Sequence, residues 1–439
     1  MISRPRFSTM MLAALLAVTL VLAGAVLALN RSDDPAGKTV VTVRLWDEQV
    51  AAAYRDSFAE FSRGRPDIEV RTTVVSYASY FDTLRTDVAG GGADDIFWIN
   101  NSHFAEYADN GRLIPISPSP DWEPSVVGQF TRGGTLWGVP QLTDAGIALY
   151  YNAELLDAAG VSPAELGSAR WDPDPAKDTL RPLLARLTID AAGRSAREAG
   201  FDPRRIRQWG YNAANDLQGI TLNFIGSAGG TFSDADRFTF DNPQAVAALS
   251  YVTDLINAEH VAPPASDTND NGDFSRNQFL SGRMAVFQSG TYNLAQIAGQ
   301  SGFPWGVAML PAGPAGRMSV TNGIVAAGNP ATRHPEAVRA VLDWLGGTGN
   351  AYLGRSGAAI PAVLSAQKVY FDYWRAKGVD VAPFFDVLDG PRVAAPGGVG
   401  FAAGFQAIKP LFDEMFLGRR PVAETLAAAQ RAANTAAQR

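Results

Sequence analysis

The sequence predicts an α/β fold organised around a parallel sheet, and three observations carry that prediction. Strand-like and helix-like patterns alternate at short intervals from residue 39 to residue 99. The chain has 439 residues, 46% of them hydrophobic, enough for two packed domains of ordinary size. Only 18% of the residues are charged, and they form no low-complexity tract or repeat. In folds of this class ligands sit at the carboxyl ends of the strands, so the residues that follow each strand matter most.

Taken in order, residues 1–9 carry Arg4 and Arg6 and are expected in the cytoplasm. Residues 10–29 are uncharged and largely apolar, close to the ~20 residues that cross a bilayer. A core helix of that length would carry a polar face, and this run has none. Asp33 and Asp34 follow it, so the body of the protein is expected outside the membrane. Ala23-Gly24-Ala25 fits the small-x-small pattern of a cleavable signal, but four further apolar residues follow. An uncleaved transmembrane anchor is therefore expected, with secretion after cleavage as the alternative. Residues 30–38 form a polar linker.

Residues 39–45 alternate as a strand. Val50, Tyr54, Phe58 and Phe61 fall on one face of a helix that ends near Gly64 and Pro66. A strand at 68–75, a helix marked by Phe81, Leu84 and Val88, and a short buried strand at 96–99 complete this run of parallel βαβ units. Further on, Trp137-Gly138-Val139-Pro140 closes one element, and Gln141, Thr143 and Asp144 make a short polar run. A β-prone segment at 147–151 then leads to Asn152, which caps a helix at 153–159 that stops at Gly160. Residues 171–210 are expected to be mostly helical and polar. Pro243, at the first position behind Asn242, opens a helix to about residue 258. Helices are also expected over 274–281, 335–345, 402–417 and 422–437, with a buried strand at 284–287.

Composition excludes several activities. The net charge is −7 with no Lys/Arg stripe, which argues against nucleic-acid binding. The absence of cysteine removes disulfides, thiol catalysis and thiolate metal sites. None of the three histidines has metal-ligand spacing with another, and His103 with Glu106 reads as a surface pair on a helix. Gly90-Gly91-Gly92 lacks the Lys-Ser/Thr of a phosphate loop, and there is no Gly-x-Ser-x-Gly elbow. No cofactor or metal is expected.

The stretch from residue 135 to residue 152 resembles the lobe-crossing segment of extracellular solute-binding proteins of ABC importers, in their carbohydrate-binding, maltose-binding-protein-like group. Other pieces are similar in the same order. They are Asp94-Asp95-Ile96, Asn110-Gly111-Arg112-Leu113-Ile114-Pro115, and Phe279-Leu280-Ser281-Gly282-Arg283-Met284-Ala285 with Met and Ala exchanged. Residues 306–313 followed by Asn322-Gly323, and then residues 356–361, complete the series. Residues 22–25 read Leu-Ala-Gly-Ala where the family's lipoproteins carry Leu-Ala-Gly-Cys, so lipid anchoring is not expected.

The resemblance implies a two-lobed periplasmic-binding-protein-like fold with a central cleft and a three-segment hinge. Lobe 1 would comprise 39–142 plus 324–356, and lobe 2 would comprise 146–318 plus 362–439, with breaks near 141–146, 319–323 and 356–361. It further implies a monomeric, non-enzymatic receptor that captures a carbohydrate outside the cytoplasm. The receptor would deliver the sugar to ABC permease subunits in the membrane. Open alternatives are glycerophosphodiester or peptide binding, a cell-surface glycoside hydrolase or lyase using Asp47, Glu48 and Asp144, and a sensor subunit.

A sugar presents hydroxyls and flat C–H faces, so its site needs aromatic rings and planar polar groups. Trp46, Asp47 and Glu48 end the first strand, although the two acids also suit a helix N-terminus. Tyr77 and Tyr80 open the second helix, with core packing as the rival role. Asn100 and Asn101 end the third strand, with helix capping as theirs. Gln141, Thr143 and Asp144 occupy the first crossing. Asn223, Gly229, Gly230, Ser289, Gly290 and Tyr292 are the choices in the second lobe. Asn322 and Gly323 in the second crossing, and Arg355 and Ser356 in the third, complete the set. Phe274 and Trp305 are read as core. With Asp47, Glu48 and Asp144 set against Arg355 alone, the cleft would favour a neutral or amine-bearing sugar over a phosphorylated or uronic one.

Overall fold

The computed structural model describes residues 37–438 apart from Ala235 and Ala394. The apolar run at 10–29, with its anchor and signal expectations, lies outside the described residues. Among the described residues no helix is long and apolar enough to cross a membrane.

The first half follows the alternating pattern: β1 Thr39–Leu45, α1 Glu48–Gly64, β2 Ile68–Val74, α2 Tyr77–Gly90, β3 Ile96–Asn100, α3 Asn101–Asp109. β1 pairs in parallel with β2 on one side and with β3 on the other. β3, Ile-Phe-Trp-Ile-Asn, is buried throughout, as a strand covered on both faces must be. α1 lays Val50, Tyr54, Phe58 and Phe61 against the sheet, and helix Pro335–Leu345 adds Val338, Val341, Leu342 and Leu345.

The sheet is not wholly parallel. β4 is Val139–Thr143, β5 Ala148–Asn152, β6 Val286–Ser289, β7 Trp305–Met309 and β8 Gly323–Gly328. β8 enters antiparallel between β3 and β4, giving the order β2-β1-β3-β8-β4. A second sheet, β6-β5-β7, is antiparallel throughout. It belongs to a separate hydrophobic core with helices Pro243–Asn257, Phe401–Phe416 and Val422–Ala436. A smaller group around Tyr150, Phe279, Phe287, Trp374 and Phe384 adjoins it.

The chain passes between the two sheets from β4 to β5 and again just before β8, after Ser319–Val320 has paired with Arg392–Val393. A third passage follows helix Ala351–Arg355, which packs with α1, and leads to Ile360 in the smaller group. The three segments are laced together: Thr143 N–H donates to Ile360 O at 3.2 Å, Asp144 N–H to Asn322 O at 2.7 Å, and Ala362 N–H to Gln141 O at 3.1 Å.

Several sequence expectations are corrected. Residues 171–210 hold one substantial helix, Leu180–Leu187, and a small hairpin pairing Ile189–Asp190 with Ile206–Gln208. The intervening loop winds around Asp190, whose carboxylate accepts from Ala192, Arg194 and Asp202 N–H groups and so replaces helical bonds. Residues 306–309 belong to β7, inside the second sheet, so 306–313 is not part of a crossing. β6 starts two residues later than the strand expected at 284–287.

Candidate binding cleft

At the end of β1, Asp47 caps α1, its Oδ1 accepting from Gln49 N–H at 2.8 Å and Val50 N–H at 2.9 Å. Capping takes one oxygen, and burial still raises the carboxyl's pKa. Glu48 is exposed on the first turn. Trp46 is half-buried and meets Tyr77, Tyr80 and Trp98 edge to face, with centroids 5.5, 4.8 and 5.1 Å away. Tyr80 is fully buried and donates to Trp98 O at 2.9 Å, so its role is in the core.

Tyr77 differs. It is 52% exposed, yet burial of its hydroxyl by surrounding protein raises its pKa, with the charges of Asp144 and Asp216 adding to the shift. Tyr292, just after β6, is 42% exposed and its hydroxyl is likewise raised, first by burial and then by the same two aspartates. A ring open to solvent whose hydroxyl is desolvated suits a recess, and both phenols lie within electrostatic reach of the same two aspartates.

Asp144 is one of the two charges that both phenols feel. Its backbone is held by Asn322, but its half-buried carboxylate has no hydrogen-bond or ion-pair partner among the described residues. Burial and then repulsion from Asp47 push its pKa up to about 7. Asn322 is 5% exposed and its Oδ1 is buried without a partner among the described residues.

Asp216 completes the recess and had no place in the sequence reading. It caps a single π-helical turn, Leu217–Thr221, accepting from Gln218 N–H at 3.1 Å and Gly219 N–H at 2.9 Å. A Cβ on Gly219 would stand 2.5 Å from Asp216 Oδ2, so glycine makes room for this carboxylate. Burial raises its pKa. The sequence signal was an acid before a glycine-bearing helical turn, and π-turns of this kind recur at functional sites.

The structure therefore brings together Asp47, Tyr77, Asp144, Tyr292 and Asn322 from the expected set, with Trp46 behind Tyr77. Others are committed elsewhere. Gln141 is fully buried: its Oε1 accepts from Tyr54 OH at 2.5 Å and its Nε2 donates to Val139 O and Pro140 O at 3.1 Å each. Thr143 is half-buried, its hydroxyl near only Asp144 O at 3.5 Å. Asn223 donates to Gln218 O and Gly219 O and accepts from Val320 N–H, which spends its amide on the fold. Gly229, at φ +85°, and Gly230 end helix Leu222–Ser227 by bonding back to Gly226 O and Ile225 O.

Ser289 is buried and accepts from Asn293 Nδ2 at 2.8 Å, and Gly290 O accepts from Tyr150 OH at 2.8 Å. Gly323 pairs with Thr143, and a Cβ there would strike Val126. Arg355 is exposed with its guanidinium over the Tyr352 ring, and Ser356 bonds back to Tyr352 O and Leu353 O; both serve a helix end. Asn100 is buried and touches Tyr77 rather than open space, with Nδ2 donating to the phenol oxygen at 3.3 Å. Asn101 reaches across to the other core, donating to Ala395 O at 2.9 Å, and Ser102 Oγ donates to Pro396 O at 3.0 Å. A phosphate or carboxylate would meet three acids here and no cation from Arg355.

Comparisons with known proteins agree on the family. A family model described as bacterial extracellular solute-binding protein matches residues 46–352. A probable ABC transporter-binding protein of Deinococcus radiodurans is 30% identical over 251 residues, which is 54% of each chain, so the match spans about half that relative's length. Among solved structures, M. tuberculosis UspC is 69% identical, with 91% of this chain and 100% of that one covered at a TM-score of 0.74. The Listeria monocytogenes substrate-binding protein Lmo0181, solved with cycloalternan, is 20% identical; the match covers 91% and 98% at 0.77. The GacH receptor of Streptomyces glaucescens, solved unliganded and with acarbose, is 20% identical; it covers 91% and 99% at 0.72. At those lower identities the likeness is one of fold.

Proposed function

The chain belongs to the bacterial extracellular solute-binding proteins, and from that premise we propose that it is the carbohydrate-capturing receptor of an ABC importer. As a member of that family it is an extracytoplasmic binding protein and not an enzyme. The observation that carries the carbohydrate reading is the recess itself. Two exposed tyrosines offer flat faces to a sugar ring, and the Asp144 carboxylate, whose charge both phenols feel, has no partner among the described residues and is available to hydroxyls. The solute would lie between lobe 1, residues 39–142 plus 324–356, and lobe 2, residues 146–318 plus 362–439. The laced crossings would act as the hinge on which they close. Delivery would be to separate permease subunits, with the chain held at the membrane by residues 10–29.

Within carbohydrates, an amine-bearing sugar is the preferred solute. An ammonium group beside Asp144, with Asp47 and Asp216 near, gains a charge-assisted hydrogen bond that a neutral hydroxyl does not. Thermal-shift measurements against neutral and amino mono- and oligosaccharides test the proposal. A sugar present at about a hundredfold its Kd stabilises the folded state by about 2.7 kcal/mol and raises Tm visibly. A screen in which no sugar moves Tm while glycerophosphodiesters do would replace the carbohydrate reading with that one.

A further inference from the structure

His103 stands on α3, three residues before Glu106, where the sequence pattern put a solvent-exposed pair. The structure turns it inward. Its ring lies flat on Phe81, with centroids 3.6 Å apart and planes within 2°. Its Nδ1 is 2.8 Å from Oδ1 of Asn100, and the other end of that amide, Nδ2, donates to the Tyr77 hydroxyl. Phe81 itself meets Tyr77 edge to face, with centroids 6.0 Å apart at 87°. His103 thus reaches the Tyr77 ring by two routes, one polar through Asn100 and one apolar through Phe81.

The polar route has a direction. Burial, with Arg85 nearby, lowers the His103 pKa to about 4, so the ring is neutral at physiological pH. Facing a carbonyl oxygen, Nδ1 must carry the ring's proton and donate. That holds the Asn100 oxygen toward His103 and its N–H toward Tyr77. The phenol oxygen then accepts from within the protein, and its own proton is left for a partner in the recess.

We infer that His103 is a positioning residue that fixes both the ring of Tyr77 and the outward donor character of its hydroxyl. The inference rests on the reading of Tyr77 as a contact to the solute, and it goes beyond that reading in assigning a residue that reaches Tyr77 through Asn100 and Phe81.

Three variants separate the routes. His103→Phe keeps the stacked ring and deletes the donor; His103→Gln restores a donor without the ring; Tyr77→Phe deletes the hydroxyl. In ligand-free protein carrying 3-fluorotyrosine, the fluorine resonance of Tyr77, assigned by its loss in Tyr77→Phe, is expected to shift or broaden in His103→Phe. The Tyr292 resonance is expected to stay in place. With glucosamine as probe, His103→Phe is expected to weaken binding about three- to tenfold, the span of one hydrogen bond. In the Tyr77→Phe background the same change is expected to have no further effect, and His103→Gln is expected to recover part of the loss.

An unmoved Tyr77 resonance in folded His103→Phe and His103→Gln overturns the inference whatever the solute proves to be. Additive losses in the two backgrounds overturn it as well. If wild-type protein ignores glucosamine, the solute reading suffers, and the fluorine spectra alone decide the role of His103.

Discussion

Tyr77 and Tyr292 are about equally exposed and feel the same two aspartates, but the protein supports them differently. Tyr77 meets Trp46 just after β1, Phe81 of α2 and Asn100 of β3, with His103 of α3 behind the last two. Tyr292 belongs to a three-residue 3₁₀ turn, Thr291–Asn293, and its ring folds back over Gly290, where a Cβ would come within 2.3 Å. Its polar support is a chain in which Arg276 reaches Asn293 Oδ1 at 3.4 Å and Asn293 reaches Ser289 Oγ at 2.8 Å. One platform is thus a product of long-range packing and the other of a local turn. Similar surfaces can therefore differ in what a substitution costs.

The largest effect is expected where both platforms share a neighbour. Asp144→Asn should weaken glucosamine about tenfold to a hundredfold, from the loss of about 1–3 kcal/mol of charge-assisted bonding, and leave glucose nearly unchanged. Titration calorimetry on the two sugars checks this, and equal losses would remove the amine preference. The pH dependence carries a sign. The folded carboxyl is raised to about 7 from 3.8, so the folded chain holds a proton that the unfolded chain releases. That contribution to stability is present below pH ~4 and is lost as pH rises through about 7, and Asp144→Asn abolishes the slope. Binding a cation favours the ionised form, so wild-type affinity for glucosamine should rise between about pH 5 and about pH 7.

Next in size is the contrast between the platforms. Tyr77→Ala and Tyr292→Ala should each weaken sugar binding by about tenfold. In urea, Tyr77→Ala should also lower stability by about 1–2 kcal/mol, because Trp46 and Phe81 lose a packing face and Asn100 a hydrogen-bond partner. Tyr292→Ala should stay within about 0.5 kcal/mol of wild type. Equal stability losses would mean that the two rings are supported alike.

The smallest effects separate two glycines. Gly290→Ala should displace the Tyr292 ring and weaken binding a few-fold with stability little changed. Gly229→Ala, at φ +85°, should cost about 1 kcal/mol of stability and leave affinity alone. Calorimetry paired with urea unfolding distinguishes the two patterns.

The sequence showed most clearly what periodicity and capping encode. Helix α1 with its apolar face, the β1–β2–β3 series, Asn152 as a cap and the helix opened by Pro335 all stand where the pattern put them. It could not show which polar residues remain free, because that depends on partners far along the chain. Gln141 is consumed by Tyr54, 87 residues away, and Asn223 by Val320, 97 residues away. Asp47 shows that the alternatives weighed from sequence need not compete: it caps a helix with one oxygen and its charge still acts on Asp144. For the same reason Asp216 was overlooked and His103 was read as half of a surface pair. One acquires its setting from residues 77 and 292, and the other from Phe81 and Asn100.

The contact between α3 and the loop at 395–399 has a practical consequence. Asn101 and Ser102, which belong with the first sheet, hold the carbonyls of Ala395 and Pro396. Three residues further on, Val399 is exposed, and its N–H is fixed to Asp236 at 3.0 Å. The chain contains no thiol of its own. A single cysteine at position 399 therefore accepts a dye at one known place, beside the point where the two bodies touch. Its colour or brightness then follows their separation, which turns the receptor into an optical reporter of its own opening.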